Sequence, residues 1–414
     1  MAEIAPLQAI RYDFDRLAGD LSAVLAPPYD VLDDAEKSAL IAKSDRNIVA
    51  IDLPHVPPKV AGPASAYQKS AELLNAWLAD GTLIRETEPA IYAYHQRFEH
   101  DGVFYTRRMF IARARLHPFS DGVILPHEQT FGGPKEDRLA LMKATACQLS
   151  PIFGLYRDPG DAIGAALQKS VAQLPHAAGT MDDVENCLWI VRDRAVIDQV
   201  TGLMADKKVF IADGHHRYGT ALLYRDFLTE QNGASLPADH PANFVMFVFA
   251  SMDDKGCLIL PYHRALADMA LTTLEEAWAA ATEPAPPEQA DIRLLDGRTG
   301  RQATLKFTKR AILAKLEPKE SPAWHQLDVA YLHRYLIDEL LKAKIGTDPK
   351  VHYVKSEDDA KRVSREFAGV ALLLKPTPMA QLQAVSEAAG LMPQKSTFFF
   401  PKLATGLTMN SLGA

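Results

Sequence analysis

The chain has 414 residues, of which 48% are apolar and 23% are charged, and its formal net charge at pH 7 is −7. This composition is typical of a globular protein with two or three domains, and the acidic balance argues against nucleic acid as a partner. The sequence shows no apolar run long enough for a membrane span, no signal peptide and no CxxC pair among its three cysteines. We therefore expect a cytoplasmic protein with no membrane partner and no disulfide framework.

The first 120 residues mix helical and strand patterns after a proline-stiffened loop at 25–31. The periodicity of their apolar residues predicts helices over 33–43 and 64–79 and strands over 48–53, 91–99 and 103–114. Asp101 and Gly102 stand between the last two strands, and an Asp-Gly pair favours the tight turn of a β-hairpin. We interpret 1–120 as an N-terminal α+β region.

The middle of the chain, 121–280, alternates short apolar runs with helical patterns. The apolar runs predict strands over 152–156, 187–192, 209–212, 243–251 and 257–261. The helical patterns predict helices over 161–174, 195–206 and 217–229, and another that carries Asp137, Arg138 and Lys143 after a Gly-Gly-Pro segment. We interpret this region as the core of the protein, because it contains the two motifs of greatest chemical interest.

The last region, 281–414, begins with a Pro/Ala/Glu-rich stretch at 281–290 that predicts a linker or exposed loop. Thr377 followed by Pro378 is typical of a helix N-cap and first helical position. The remaining patterns predict a hairpin around 297–300, helices over 325–342 and 378–389, strands over 351–354 and 371–374, and a loop-like tail over 392–412. Because helices and strands are mixed without regular βαβ alternation, the predicted fold class is α+β, with mixed sheets and flanking helices.

The sequence Asp213-Gly214-His215-His216-Arg217, called here the DGHHR loop, follows an apolar strand and opens a helix. A helix start presents free backbone N–H groups and a positive dipole end, which together bind phosphate. Gly214 lets the backbone approach a ligand, the histidines can donate hydrogen bonds, and the Arg217 guanidinium matches phosphate. Asp213 could hold a metal ion or orient a histidine. A capped helix start without a ligand and a zinc site are the alternatives.

Two further segments contain candidate groups. Glu128 follows an apolar run and the residues Pro126-His127, and a carboxylate at a strand end can act as a general base; a solvated surface charge is the alternative. In the tail, Lys395 and the hydroxyls of Ser396 and Thr397 resemble a loop that contacts an anion, or form part of an ordered strand. Lesser candidates, more simply explained as structural, are Pro261-Tyr262-His263-Arg264 at a strand end, and Lys135, Asp137 and Arg138 on the helix after Gly133.

Motifs in a fixed order give the chain a resemblance to a known family. The run LPHEQT…PKEDRL…SPIFGLY…FIADGHHRYGTAL…LPYHR…MPQKSTFFFPKL covers most of the chain from 125 onward, and APPYDV stands near the start. With these motifs the chain resembles the bacterial family catalogued as domain of unknown function 1015. The resemblance covers nearly the whole length and implies no activity.

A more distant resemblance is to the free serine kinases of the ParB/sulfiredoxin-like superfamily. They carry Pro-His-Glu, then Asp-Gly-His-His-Arg after a strand, then a Ser-Pro-Lys-Thr-Thr loop, and this chain has the same order with Pro-Gln-Lys in the last loop. The longer interval between the first two motifs implies a ParB/sulfiredoxin-like phosphate-binding core with large insertions. The resemblance implies catalysis by Glu128 as base with Asp213 and His216, phosphate binding by Gly214, His215, His216 and Arg217, and substrate binding by His127, Lys395, Ser396 and Thr397.

The favoured function is a kinase that phosphorylates the hydroxyl of free L-serine, with Mg²⁺ held by Asp213 and with ATP or ADP as phosphoryl donor. The expected partners are serine or phosphoserine and a nucleotide, and serine comes only from the resemblance. A first alternative is a metal-dependent phosphatase or hydrolase that uses His127, His215, His216 and His263, for example on phosphoserine. A second is a non-catalytic ParB-like nucleotide-binding module. The donor, the direction of the reaction and the oligomeric state stay open.

Overall fold

The structure is a computed structural model that describes residues 1–130 and 132–413. Its α-helices are α1 Asp34–Lys43, α2 Val49–Asp52, α3 Ala64–Ala79, α4 Gly132–Thr145, α5 Ala162–Val171, α6 Arg194–Met204, α7 His215–Asn232, α8 Leu271–Trp278, α9 Leu313–Leu316, α10 Asp328–Ala330, α11 Lys342–Ile345, α12 Glu357–Glu366 and α13 Met379–Glu387. A π-helix over Tyr331–Leu341 connects α10 to α11. Within these two ranges, no helix has the length and apolar character of a membrane span.

The strands are mostly short. They are β1 Ile4–Ala5, β2 Ile10–Tyr12, β3 Leu83–Arg85, β4 Ile91–His100, β5 Val103–Arg115, β6 Ile124–Leu125, β7 Cys147–Gln148, β8 Ile152–Tyr156, β9 Ala177–Met181, β10 Val184–Val191, β11 Val209–Asp213, β12 Phe244–Ser251, β13 Leu258–Leu260, β14 His263–Leu266, β15 Thr282–Pro284, β16 Ile292–Asp296, β17 Gln302–Phe307, β18 Val351–Val354, β19 Val370–Leu374, β20 Phe398–Phe400 and β21 Asn410–Ser411. Their pairing separates the chain into two compact units.

The first unit comprises Met1–Pro126, Thr130–Cys257 and Pro401–Ala414. Its main sheet has the strand order β6-β11-β8-β12-β5-β4-β10-β9, and β1 pairs with β5. Strand β11 is an inner strand, parallel to β6 and antiparallel to β8. Ile197 of α6 and Tyr218 of α7 belong to the buried cluster that packs against this sheet. A strand that is paired on both edges and covered on its faces needs apolar side chains throughout, which explains the run over 209–212.

The second unit comprises His127–Gln129 and Leu258–Phe400. Its larger sheet has the order β15-β17-β16-β19-β14-β18, and its neighbouring strands are antiparallel. Ala360 of α12 is buried against Leu295, Ala371 and Leu373 of this sheet. A separate pair, β13 with β20, joins the start of the unit to its end. Each unit therefore has its own sheet and its own apolar packing.

The predicted α+β class is confirmed, as are the hairpin β4–β5 and helix α3, which begins and ends at the predicted residues 64 and 79. The bounds of the two units differ from the predicted regions 1–120, 121–280 and 281–414. The difference arises because β4 and β5 of the N-terminal region share one sheet with β8, β11 and β12 of the middle region.

The predicted strand over 48–53 is wrong, because these residues form helix α2. The side chain of Asn47 explains the difference. Its Oδ1 accepts the N–H of Val49 at 3.0 Å, and its amide donates to the carbonyls of Ala23 and Leu25 at 2.9 and 2.8 Å. The bond to Val49 closes a helical turn, and together with the bonds to the distant Ala23 and Leu25 it outweighs the strand preference of the apolar, β-branched sequence.

The predicted N-cap at Thr377 is also wrong. Pro378 occupies the N-cap position of α13, and the Thr377 hydroxyl instead donates to the carbonyl of Ser396 at 3.0 Å. The tail over 392–412 is not only a loop, because it contains β20 and β21. Both strands pair with segments far away in the sequence, and such long-range pairing leaves no local signal.

The stretch 281–290 was expected to be a linker or loop, but it contains strand β15, which pairs with β17. Pro284 lies within this strand. Proline cannot donate a backbone hydrogen bond and is therefore confined to sheet edges. The strand β15 does lie at the edge of its sheet, so the proline that made the sequence look like a loop is accommodated there.

Candidate phosphate-binding site

The DGHHR loop joins the inner strand β11 to helix α7 in the first unit. The pairing of β11 with β8 changes register between Ile211 and Asp213, at the end of the strand. Gly214 is the N-cap of α7 with φ +94°, in the left-handed region that favours glycine. A Cβ atom at this position would lie 2.9 Å from Nε of Arg217. The site thus requires glycine, and the 18-residue helix that follows presents its free N–H groups here.

Asp213 lies between two cations. Lys402 donates from Nζ to Oδ2 of Asp213 at 3.0 Å, and a guanidinium nitrogen of Arg217 lies 3.5 Å from Oδ1. The same Oδ1 accepts the N–H of Gly214 at 2.8 Å. Burial alone would raise the pKa of the Asp213 carboxyl, but the charges of Lys402 and Arg217 outweigh burial and hold the pKa well below its usual range. The ionised carboxylate therefore holds both cations beside the start of α7.

Lys402 reaches this place from the C-terminal segment of the first unit. Arg107 donates to the carbonyl of Pro401 at 2.6 Å, and Gln96 donates to the carbonyl of Lys402 at 2.9 Å. Both donors are fully buried on the central strands β4 and β5. The backbone around Lys402 is thereby fixed. Lys402 was not among the residues predicted for the site, although it lies in the motif MPQKSTFFFPKL.

The other side chains of the loop are held in different ways. Arg217 donates to the carbonyl of Pro151, and since a guanidinium has five N–H donors, donors remain for a ligand. His215 is buried. Burial lowers the pKa of His216 to about 4, with Asp30 opposing and Lys59, Arg217 and Lys135 reinforcing the shift. His216 is therefore neutral at pH 7 and can donate one ring N–H.

Lys135, a lesser candidate of the sequence analysis, is brought to the DGHHR loop by the packing of α4 on α7. A Cβ atom on Gly219 of α7 would lie 3.1 Å from Cδ of Lys135. The stem of the lysine therefore passes over this small residue, close to the first turn of α7. Its ammonium group adds a positive charge to a region that already contains Lys402 and Arg217.

Beside the loop lies a buried charged network between α2, α3 and α4. Arg138 donates to Oδ2 of Asp137 at 2.8 Å and to the backbone carbonyl of Asp52 at 2.6 Å, and its guanidinium stacks on the ring of Tyr29 at 3.9 Å. Asp137 also accepts a hydrogen bond from Tyr67 at 2.8 Å. All five residues are buried. These contacts agree with the interpretation of Asp137 and Arg138 as residues that stabilise the fold.

His127 and Glu128 lie in the second unit. His127 is almost fully buried, its Nε2 lies 2.9 Å from the hydroxyl oxygen of Thr397, and its carbonyl accepts the N–H of Met392 at 2.8 Å. Glu128 is half-buried and makes no hydrogen bond or ion pair with another described residue. Its carboxylate is therefore available to a ligand. The hydroxyl of Ser396 donates to the carbonyl of Pro393 at 2.5 Å.

Lys395 lies on a turn of the same segment, with φ +57°. The buried Arg264 donates to the carbonyl of Lys395 at 3.0 Å, and Nζ of Lys395 lies 5.2 Å from the centre of the Tyr262 ring. The predicted residues thus form two groups, and each group lies within one unit. The first unit holds Asp213, Gly214, His215, His216 and Arg217, and the second holds His127, Glu128, Lys395, Ser396 and Thr397.

The described residues contain no group of three or more His, Cys, Asp or Glu side chains that could hold a metal ion. The hydrolase alternative requires such a group from His127, His215, His216 and His263. These histidines are divided between the units, two in each. No specific observation therefore favours that alternative.

Comparisons with known proteins agree with the motif analysis at the level of the family. The family model described as "Protein of unknown function (DUF1015)" matches residues 4–330. No curated protein matches the chain.

Three solved structures show a remote likeness. A conserved hypothetical protein from Pyrococcus furiosus is 14% identical with a TM-score of 0.32, and the match covers 69% of this chain and 93% of that one. A free serine kinase variant in complex with ADP is 13% identical with a TM-score of 0.35, over 69% and 89% of the two chains. A C-terminally truncated SbnI from Staphylococcus aureus is 12% identical with a TM-score of 0.35, over 70% and 84%. Scores this low assign no activity to this chain.

Proposed function

The chain belongs to the family described as protein of unknown function (DUF1015), and we propose that it is a phosphotransferase. It binds the phosphates of a nucleotide at the DGHHR loop and transfers a phosphoryl group to the hydroxyl of a small acceptor, for which free L-serine is the expected molecule. The observation that carries the proposal is the placement of Lys402 and Arg217 on either side of Asp213, at the glycine-opened start of α7.

The charges of this site favour a phosphate group. Asp213 contributes one negative charge, whereas Lys402 and Arg217 contribute two positive charges, and Lys135 lies over the same helix. The free N–H groups at the start of α7 add the positive end of the helix dipole. Neutral His216 lies in the first turn of the same helix. Phosphoryl transfer depends mainly on positioning and on neutralising charge on the phosphoryl oxygens, and this set of groups provides both.

The acceptor side of the proposal depends on Glu128, which would take the proton of the acceptor hydroxyl as general base. The resemblance to free serine kinases supplies this role. The half-buried carboxylate without a protein partner is compatible with it. Lys395 would bind the carboxylate of the acceptor, with Ser396 and Thr397 holding the turn in place and His127 fixing Thr397.

Magnesium is expected as the counter-ion of the nucleotide. The donor set in the structure does not make Asp213 a convenient ligand, because both of its oxygens already have protein partners. Mg²⁺ commonly binds through one or two carboxylates together with substrate phosphates. We therefore expect the ion to arrive on the nucleotide, where it neutralises phosphate charge, while Lys402 and Arg217 remain paired with Asp213.

The test is a product assay with purified protein, Mg²⁺ and L-serine. ATP, ADP and pyrophosphate are offered separately as donors, and O-phosphoserine is detected by mass spectrometry. A Glu128→Gln variant keeps the shape of the side chain and removes the base, and Glu288→Gln, an exposed acid of the same unit, is its control.

Product from one donor, abolished by Glu128→Gln and kept by Glu288→Gln, is the expected result and identifies the donor. Absence of O-phosphoserine with every donor, from protein with an intact folding transition, would rule out serine kinase activity. Release of phosphate from O-phosphoserine would instead establish the reverse or phosphatase direction. Binding of nucleotide without turnover of either compound would support the non-catalytic nucleotide-binding alternative.

A further inference from the structure

A second carboxylate, that of Asp30, lies close to the DGHHR loop. Asp30 belongs to a short 3₁₀ turn over Tyr29–Val31, within the APPYDV motif. The Arg138 guanidinium stacks on the ring of the preceding Tyr29 at 3.9 Å and fixes this turn against α4. Lys59, whose Nζ lies 3.9 Å from Oδ2 of Asp30, runs along the start of α4, where a Cβ atom on Gly133 would lie 3.1 Å from its carbonyl oxygen. Two residues further along α4, Lys135 passes over Gly219 of α7, and the charge of Asp30 opposes the fall in the pKa of His216. The N-terminal segment therefore supplies an acid to a region that is otherwise rich in cations.

One oxygen of Asp30 has no partner. Its Oδ1 is buried and accepts no hydrogen bond within residues 1–130 and 132–413. Its Oδ2 lies 3.9 Å from Nζ of Lys59, which is at the limit of an ion pair. A buried carboxylate oxygen without a partner costs free energy, and such an atom in a native fold requires an explanation. A bound ligand is one such explanation.

Asp213 differs from Asp30, because both of its carboxylate oxygens have partners. Its Oδ1 accepts the N–H of Gly214 and lies near Arg217, and its Oδ2 accepts from Lys402. A metal ion at Asp213 would have to displace one of these partners. Asp30 needs to lose none, because its Oδ1 is already unpaired.

The chemistry of the surroundings selects the ligand. A carboxylate beside bound phosphates repels them unless a cation lies between, and Mg²⁺ favours one or two carboxylate oxygens together with phosphate oxygens and water. We propose that Asp30, and not Asp213, is the protein ligand of the Mg²⁺ ion carried on the nucleotide phosphates. This inference rests on the proposed function, since it requires a nucleotide at the DGHHR loop.

The experiment measures ADP affinity by calorimetry in Mg²⁺ and in EDTA, and so gives the factor by which the metal increases nucleotide affinity. It compares the wild type with Asp30→Asn, Asp213→Asn and Asp34→Asn. Asp34 is an exposed acid at the start of α1. Its substitution by asparagine removes the same charge as Asp30→Asn, but away from the site. In a second measurement Mn²⁺ replaces Mg²⁺, and its electron paramagnetic resonance spectrum with ADP present reports whether the ion is bound to the protein.

In Asp30→Asn we expect the metal enhancement to fall by about tenfold, within the usual range of coupling between two ligands. ADP affinity in EDTA should stay equal or increase, because a negative charge near the phosphates is gone. Mn²⁺ bound with ADP should lose its protein-bound spectrum. Asp34→Asn should match the wild type, and Asp213→Asn should weaken ADP binding alike with and without metal.

Other results are distinguishable. If Asp30→Asn keeps the full metal enhancement, or weakens binding equally in Mg²⁺ and EDTA, the inference is wrong while nucleotide binding stands. If the enhancement is lost in Asp213→Asn alone, Asp213 is the metal ligand. If Asp30→Asn weakens only the binding of L-serine, the carboxylate binds the ammonium group of the acceptor. If the wild type binds no ADP in either buffer, the titrations are repeated with ATP; if it binds neither nucleotide, nucleotide binding at the DGHHR loop is wrong, and this inference fails with it.

Discussion

At the residue scale, the proposed phosphate site depends on the backbone conformation of Gly214, and this dependence can be tested. In Gly214→Ala the new Cβ would be strained at φ +94° and would lie 2.9 Å from Nε of Arg217. We expect a loss of about 1–3 kcal/mol in the free energy of unfolding and a fall of tenfold or more in ADP affinity, because Arg217 must move.

Gly233 offers a matched control at the other end of the same helix. It has φ +63°, and a Cβ atom there would meet nothing within 4 Å. Gly233→Ala should therefore cost a similar amount of stability, measured by urea unfolding, and leave ADP affinity at the wild-type value. Equal loss of affinity in both variants would show that α7 matters only through its stability.

Lys402 gives a prediction about pH at the same scale. Because Lys402 and Arg217 hold the pKa of Asp213 below its unfolded value near 3.9, their stabilisation is complete at pH 7 and is lost as pH falls through the folded pKa. Lys402→Met should lower the free energy of unfolding by about 2 kcal/mol at pH 7, and the difference from wild type should shrink below about pH 4.

Urea unfolding from pH 3 to pH 7 checks this expectation. The control is Lys208→Met, an exposed lysine before β11, for which a small difference that does not vary with pH is expected. A Lys402→Met difference that stays constant over the whole range would mean that the lysine stabilises the fold by packing and not by its pairing with Asp213.

The sequence predicted the part of the site that is contiguous along the chain. The strand, glycine and helix of the DGHHR loop follow one another along the chain, so their order predicted the local geometry that the structure has; the role of these residues stays a prediction. No role was predicted for Lys402 or Asp30, although each lies in a motif of the family, because a motif does not state which distant segment its charged residue will contact. Their place at the loop is set by the tail at 401–402 and by the turn at Tyr29–Val31.

At the element scale, the buried charges of α2 and α4 connect the N-terminal region to the helix that carries Lys135. Arg138 neutralises Asp52 and Asp137, and removing it would leave two carboxylates buried without their cation. Burial already raises the pKa of Asp52 against the opposing charge of Arg138. Arg138→Met should therefore cost about 3–5 kcal/mol in the free energy of unfolding at pH 7.

The matched control is Lys143→Met on the same helix. Lys143 is exposed and its Nζ lies 3.7 Å from the centre of the Phe227 ring, so a loss below about 1 kcal/mol is expected. Chemical denaturation of both variants measures the two losses in the free energy of unfolding. Similar small losses in both would show that the buried network contributes little net stability, as can happen when desolvation offsets attraction.

Element boundaries were predictable where local and tertiary preferences agree. Helix α3 was predicted over its full length because its apolar residues recur at helical spacing and face a core. In α2, hydrogen bonds of the Asn47 side chain, two of them to the distant carbonyls of Ala23 and Leu25, reversed the preference of the segment. In β15, an edge position accommodates Pro284. These outcomes depend on partners distant in sequence, which a local pattern does not contain.

At the scale of the whole molecule, the division of the predicted residues between two units makes a prediction about where each ligand acts. Hydrogen exchange with pyrophosphate as a probe of the phosphate site should protect the first turn of α7 and the segment around Lys402, both in the first unit. L-Serine should protect the segment 393–397 of the second unit. A ligand whose free concentration is 100 times its dissociation constant raises the free energy of unfolding by about 2.7 kcal/mol. This increase is large enough for a measurable change in hydrogen exchange.

The separation of these two patterns is informative in itself. Protection by pyrophosphate that is limited to the second unit would contradict phosphate binding at the DGHHR loop, whatever the enzyme assay shows. Protection of α7 by pyrophosphate in the wild type, lost in Gly214→Ala and kept in Gly233→Ala, would assign the binding to the helix start. Serine protection without any effect of pyrophosphate would leave the acceptor side of the proposal intact and would require a different place for the donor.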